Sequence, residues 1–115
     1  MTVRIQGGLP DFGKEAAKIA GLARAVVAKS AQTVEGKAKL RAPVRTGNLR
    51  NSISTTIIDD GLTAEVGPTA SYAPYVEFGT ARQAPQPFLI PAAEEVTPEF
   101  EKALEKIADL ASGGN

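Results

Sequence analysis

Apolar positions change period along this chain, and each change marks an element. Thr2-Val3-Arg4-Ile5-Gln6 alternates, the pattern of a short strand, and Gly7-Gly8 closes it. Pro10 and Asp11 then supply a helix start, with Asp11 as N-cap and Glu15 favourable in the first turn. Up to about Arg41 the chain is rich in Ala and Lys and lacks proline. Its larger apolar residues, Phe12, Ile19, Leu22, Val26, Val27 and Val34, mostly recur at three- and four-residue steps. The pattern predicts a long amphipathic helix whose buried stripe is mostly alanine, so another element can approach it closely. Gly21 and Gly36 weaken this helix without breaking it. Pro43 disfavours helical geometry at Ala42 and ends it.

A period of two returns at Ser52 to Asp59, which places Ile53, Thr55 and Ile57 on one face. Leu62, Ala64 and Val66 alternate likewise, and Asp59-Asp60-Gly61 between the two runs is a hairpin signal. Gly67-Pro68 ends the second strand. Tyr72 to Phe78 reads as a helical turn, with an edge strand as the other option, and Gly79 to Pro87 as a proline-containing loop. Leu89, Ala93, Val96, Phe100, Ala103, Leu104, Ile107 and Leu110 then follow helical spacing, ended by Gly113-Gly114. Thr97-Pro98 resembles an N-cap followed by a first-turn proline, which predicts a kink or restart there. The expected fold is α+β: a long N-terminal helix and a C-terminal helix packed on a small antiparallel sheet. A chain of 115 residues predicts a single domain over 1–115, with flexible ends at 1–10 and 112–115.

Composition narrows the chemistry. The chain has no cysteine and no histidine. That removes disulfides, thiolate nucleophiles, the commonest general base and the commonest transition-metal ligand. The expectation is a protein that is not an enzyme. No apolar run approaches a membrane span and no secretory leader opens the sequence, so a soluble protein without a membrane partner is expected. Net charge is zero but unevenly spread. Residues 1–50 hold ten basic and three acidic groups (+7), 51–93 one and four (−3), and 94–115 two and six (−4). Solvated helix faces account for this; so does head-to-tail association of basic and acidic halves.

No catalytic, cofactor or metal pattern emerges. The glycines form neither G-x-G-x-x-G nor a phosphate-binding loop. Lys29-Ser30 are helix neighbours that do not face each other, and Asp59-Asp60 and Glu94-Glu95 lack the alternation of a calcium loop. Lys37, Lys39, Arg41, Arg45 and Arg50 crowd the end of the first helix. They complement its dipole, or they contact phosphate or another protein. Aromatics are not interleaved with them, so no specific nucleic-acid partner is expected.

Two segments together are informative: "APVRTGNLRNSI", Ala42 to Ile53, and "YAPYVEFGTARQAPQPFLIPAAEE", Tyr72 to Glu95. In this order and spacing they resemble the gene-product-ten-like tail-component family of lambda-like bacteriophages, over about residues 25–105. One departure is Ile90, where the family often carries a basic residue. The resemblance implies a structural virion protein without catalysis or cofactor, acting in tail completion or head–tail joining at the neck. It implies self-association into a ring of six copies and contact with head–tail connector, tail terminator or tail tube proteins. Assembly would take place in the bacterial host cytoplasm. A tail terminator or other ring component is the alternative, and a small nucleic-acid-binding module the third reading.

Thr46-Gly47-Asn48 makes a turn in which Gly47 permits positive φ. Arg45 and Arg50 exceed what the turn requires, and Glu77 is their natural opposite, within one subunit or across an interface. Tyr72, Tyr75, Phe78 and Phe88 belong either to the core or to an interface, where Tyr and Phe are favoured. The candidate interface therefore comprises Arg45, Thr46, Arg50, Tyr72, Tyr75, Glu77, Phe78, Arg82 and Phe88.

Overall fold

A computed structural model describes residues 1–7, 16–44 and 47–111. In chain order these form β1 (Val3–Gln6), α1 (Ala16–Arg41), α2 (Asn48–Ser52), β2 (Ile53–Ile58), a 3-10 turn, β3 (Thr63–Pro68), α3 (Ala73–Phe78) and α4 (Leu89–Ala111). The fold is α+β, as the sequence predicts. The proposed helix start at Pro10, Asp11 and Glu15, the Gly113-Gly114 stop and the tail 112–115 lie outside the described residues. Within the N-terminal stretch expected to be flexible, Val3–Gln6 is instead paired into the sheet.

The sheet has the order β1-β3-β2, all neighbours antiparallel. Its register sets Val3 beside Val66 and Thr55 beside Val66 on one face, and Arg4 and Thr56 beside Glu65 on the other. That second face is wet: Arg4 Nη2 lies 3.2 Å from Glu65 Oε1. The first packs on α1. This one-sided burial is the ordinary state of an antiparallel sheet, and it explains the alternation in the sequence. Ile57 breaks the pattern, since it stays exposed at the hairpin end of the outer strand. The hairpin turn carries positive φ at Asp59, Asp60 and Gly61, and Arg24 of α1 holds it through both the Asp60 carbonyl and carboxylate.

Along α1 and at Ala42 just past its end, the buried residues are Ile19, Ala23, Val27, Ala31, Val34, Ala38 and Ala42. The steps of three and four are those of one helix face, and four of the seven are alanine. The small side chains let α1 sit close to both the sheet and α4, while the larger Leu22 lies on the exposed side. Helix α4 runs antiparallel to α1: Glu95 near its start meets Lys37 (3.0 Å) and Arg41 near the end of α1, whereas Ala103 lies with Val26. Phe88, Leu89, Ile53, Val27, Val34 and Val66 are the bulkiest fully buried side chains.

The helix does not restart at Thr97-Pro98: α4 runs through it as one 23-residue helix with Pro98 inside. Thr97 is no cap; its hydroxyl donates to the Ala93 carbonyl one turn back, at 2.8 Å. Packing of Val96, Phe100 and Ile107 on both sides of Pro98 offsets the missing amide.

Candidate protein-docking surface

Two short helices and a loop gather at the end of the molecule where α1 stops and α4 begins. The Ala42 amide still donates to Ala38 (2.9 Å), after which Pro43 turns the chain away. Gly47, at φ 81°, precedes α2, a five-residue helix that replaces the simple turn the sequence suggests. Leu49 of α2 is buried. The Arg50 Nε donates to the Lys39 carbonyl at 3.2 Å, serving one of the C-terminal carbonyls that α1 leaves open. Arg50 is therefore not surplus to the turn. It ties α2 to α1.

In α3 the helical period separates two sets of residues. Ala73, Val76 and Glu77 face inward, while Tyr72, Tyr75 and Phe78, three residues apart, face solvent; Tyr75 and Phe78 are 61% and 60% exposed. Phe88, by contrast, is wholly buried and belongs to the core. Of the four aromatics grouped from the sequence, three lie together on the surface and one does not.

Glu77 is the structural hinge of the site. Its side chain is only 2% exposed. Oε1 accepts the amides of Phe88 (3.2 Å) and Leu89 (2.9 Å), and Oε2 accepts that of Ile90 (3.2 Å). The N-terminal amides of a helix lack intrahelical partners and carry partial positive charge. A carboxylate delivered from α3 satisfies three of them. The expected pairing of Glu77 with Arg50 is thus not formed. Both groups are committed to backbone partners within the chain. Arg45 and Thr46 lie outside the described residues.

Between Glu77 and its partners the chain forms a loop in which every residue from Thr80 to Pro87 is exposed. It is nonetheless internally bonded. Thr80 N donates to the Gln83 carbonyl (2.9 Å) and Gln86 N to the Val76 carbonyl (2.8 Å). The Thr80 hydroxyl accepts the amides of Arg82 and Gln83. Gly79 makes the fold-back possible at φ 79°, ψ 176°; a Cβ there would lie 2.8 Å from Pro85 N. Between the loop, α3 and α2 runs a groove of about 230 Å³ lined by Pro43, Leu49, Tyr72, Tyr75, Gln83 and Gln86 among others. Sequence reasoning missed Leu49, Gln83 and Gln86, because only the fold-back brings them beside the tyrosines.

The basic cluster ending α1 is largely matched within the chain. Lys37 and Arg41 share Glu95; Lys39 pairs with Glu35 at 3.1 Å. Glu35 also accepts the Thr55 hydroxyl at 2.9 Å. Burial pushes the Glu35 carboxyl up, but the Thr55 and Lys39 hydrogen bonds and the Lys39 charge outweigh it, leaving it below the ordinary glutamate value. Among the described residues no group of acidic side chains is arranged to hold a metal ion, and no helix is long and apolar enough to cross a membrane.

These features define a small α+β protein with a two-helix layer over a three-stranded sheet and an ordered loop beside an exposed aromatic row. A family model described as "Bacteriophage HK97-gp10, putative tail-component" matches residues 9–79. The chain belongs to this HK97-gp10-like family of bacteriophage tail components. No curated protein and no solved structure matches it. The matched region ends at Gly79, so α4 lies beyond it; Glu77 caps its start, and Glu95 ties it to Lys37 and Arg41 of α1.

Proposed function

We propose that this tail component is a structural protein of the phage neck, completing the tail and joining it to the head through ring assembly and protein–protein contacts, without catalysis or cofactor. The observation that carries the reading is the pairing of a fully exposed yet hydrogen-bonded loop with an exposed row of Tyr72, Tyr75 and Phe78. Contiguous exposed aromatics on a small protein mark contact sites. A loop already fixed in shape loses little entropy when a partner seats on it. Internal matching of Lys37, Lys39, Arg41 and Arg50 argues against a phosphate-binding role for that cluster.

Deleting Ala81–Gln86 tests the proposal. The deleted chain should remain folded by circular dichroism, while heads and tails accumulate unjoined in infected cells. Normal infectious particles from the deletion would overturn the reading. Tails of uncontrolled length would instead assign the protein the tail terminator's role.

A further inference from the structure

Strand β1 is the edge of the sheet on the α4 side, and its register fixes which main-chain groups that edge exposes. The Gly7 amide donates to the Leu62 carbonyl at 2.7 Å. In an antiparallel ladder such bonded pairs recur at every second residue, so Ile5 and Val3 bond to Ala64 and Val66. The amides and carbonyls of the residues between, Arg4 and Gln6, therefore point off the edge, and among the described residues no other element bonds them. The Arg4 side chain turns to the wet face, where it pairs with Glu65.

Beside this edge, between β1 and α4, runs a groove of about 320 Å³. All four residues of β1 line it, Arg4 and Gln6 included, so it follows the strand edge rather than one face of the sheet. Val34, Val96, Phe100 and Leu104 give it an apolar lining. It shares no residue with the groove beside α3. Glu101 also lines it, and Glu94 and Glu105, seven residues before and four after, continue the same flank of α4. All three carboxylates are exposed, and none has an ion pair or hydrogen bond among the described residues. Lys102 and Lys106 of the same helix lie about 100° further round it. The rim is acidic.

We propose that β1 accepts an extended segment of another polypeptide as a fourth strand, one carrying apolar side chains at alternate positions and Lys or Arg beside them. Its main chain meets the open groups of Arg4 and Gln6, and its apolar side chains seat against Val96, Phe100 and Leu104. Charged side chains commonly guard an edge, but Arg4 is held over the sheet face by Glu65 and leaves this edge open. Long basic side chains reach across the apolar lining to Glu101 and its neighbours. An acidic segment meets three unmatched carboxylates, so the rim selects as well as attracts.

The test titrates the full chain, 15N-labelled, with two capped peptides, Ac-Lys-Thr-Ile-Thr-Val-Thr-Lys-NH2 and its counterpart Ac-Glu-Thr-Ile-Thr-Val-Thr-Glu-NH2. The basic peptide should slow hydrogen exchange at the Arg4 and Gln6 amides. It should bind at least about tenfold more tightly than the acidic one, the value of one charge-assisted hydrogen bond. The double variant Glu101→Lys, Glu105→Lys should reverse that preference, with the spectrum otherwise unchanged. N-methylating one alternate set of peptide amides should abolish binding and methylating the other should spare it, because only one set faces β1. Equal binding of both peptides, no binding at millimolar peptide, the same response to both methylated sets, or unchanged exchange at Arg4 and Gln6 would overturn the proposal. So would slowing at these amides that grows with protein concentration alone, because the occupant would then be a second copy.

Discussion

Glu77 Oε1 accepts the Leu89 amide at 2.9 Å, so a side chain on α3 caps the first turn of α4 across a ten-residue connection. The local sequence could not finish the start of α4 this way. Pro87-Phe88 ahead of Leu89 provides no Ser, Thr, Asp or Asn for a local cap.

Replacing Glu77 should therefore cost more than an exposed charge would. Glu77→Ala leaves buried amides without an acceptor and is expected to lower stability by about 3 kcal/mol; Glu77→Gln keeps one acceptor oxygen and should cost about 1 kcal/mol. Urea denaturation of both variants measures the two values. Equal, negligible losses would show that the cap is not holding α4.

Gly79 is the second point of sensitivity. Gly79→Ala must place a Cβ 2.8 Å from Pro85 N and 2.9 Å from the Gln83 carbonyl in a backbone region other residues avoid. A loss of about 1–3 kcal/mol is expected from the backbone conformation alone. Faster hydrogen exchange at the Thr80 and Gln86 amides would locate the damage in the loop, with the sheet amides unaffected.

Acid sensitivity should appear at Glu35. Its carboxyl sits below the ordinary glutamate value of 4.5 in the folded chain. The stability it confers is present above that value and disappears as pH falls through the lower, folded value. Wild type should exceed Glu35→Gln by under about 1 kcal/mol at neutral pH, and the gap should close on acidification below about pH 4.5. Paired denaturation curves at pH 7 and pH 3 check it; a gap that widens in acid would reverse the sign. Thr55→Val should narrow the neutral-pH gap by removing one of the two hydrogen bonds.

Periodicity made the framework readable. The alternation at Val3 and Ile5, the hairpin at Asp59-Asp60-Gly61 and the apolar steps from Leu89 to Ile107 all became the elements they suggest, because in each case one face is wholly or partly buried, although Leu110 at the far end of α4 is exposed. Local rules failed where tertiary contacts decide. Thr97-Pro98 has the chemistry of a helix start, yet continuous packing of α4 on α1 carries the helix through it. Arg50 looked free because its acceptor is a main-chain carbonyl on another helix. Glu77 looked like half of an ion pair for the same reason. The uncapped start of α4 was the available clue, since an acceptor had to come from elsewhere. Tyr72, Tyr75 and Phe78 could not be separated from Phe88 by composition; the three-residue spacing on α3 separates them, and only once α3 is a helix.

The cap on α4 also orders events during synthesis. Its carboxylate leaves the ribosome before the amides that it will bind, on a segment that by then follows a completed hairpin. A nascent chain halted at Pro87 would have Glu77 without those amides and the alanine stripe of α1 without α4. Such a fragment should attract chaperones and proteases, whereas emergence of α4 covers the stripe and fixes the loop Gly79–Pro87 in a single event. The loop Gly79–Pro87 would thus take its shape only once α4 has left the ribosome.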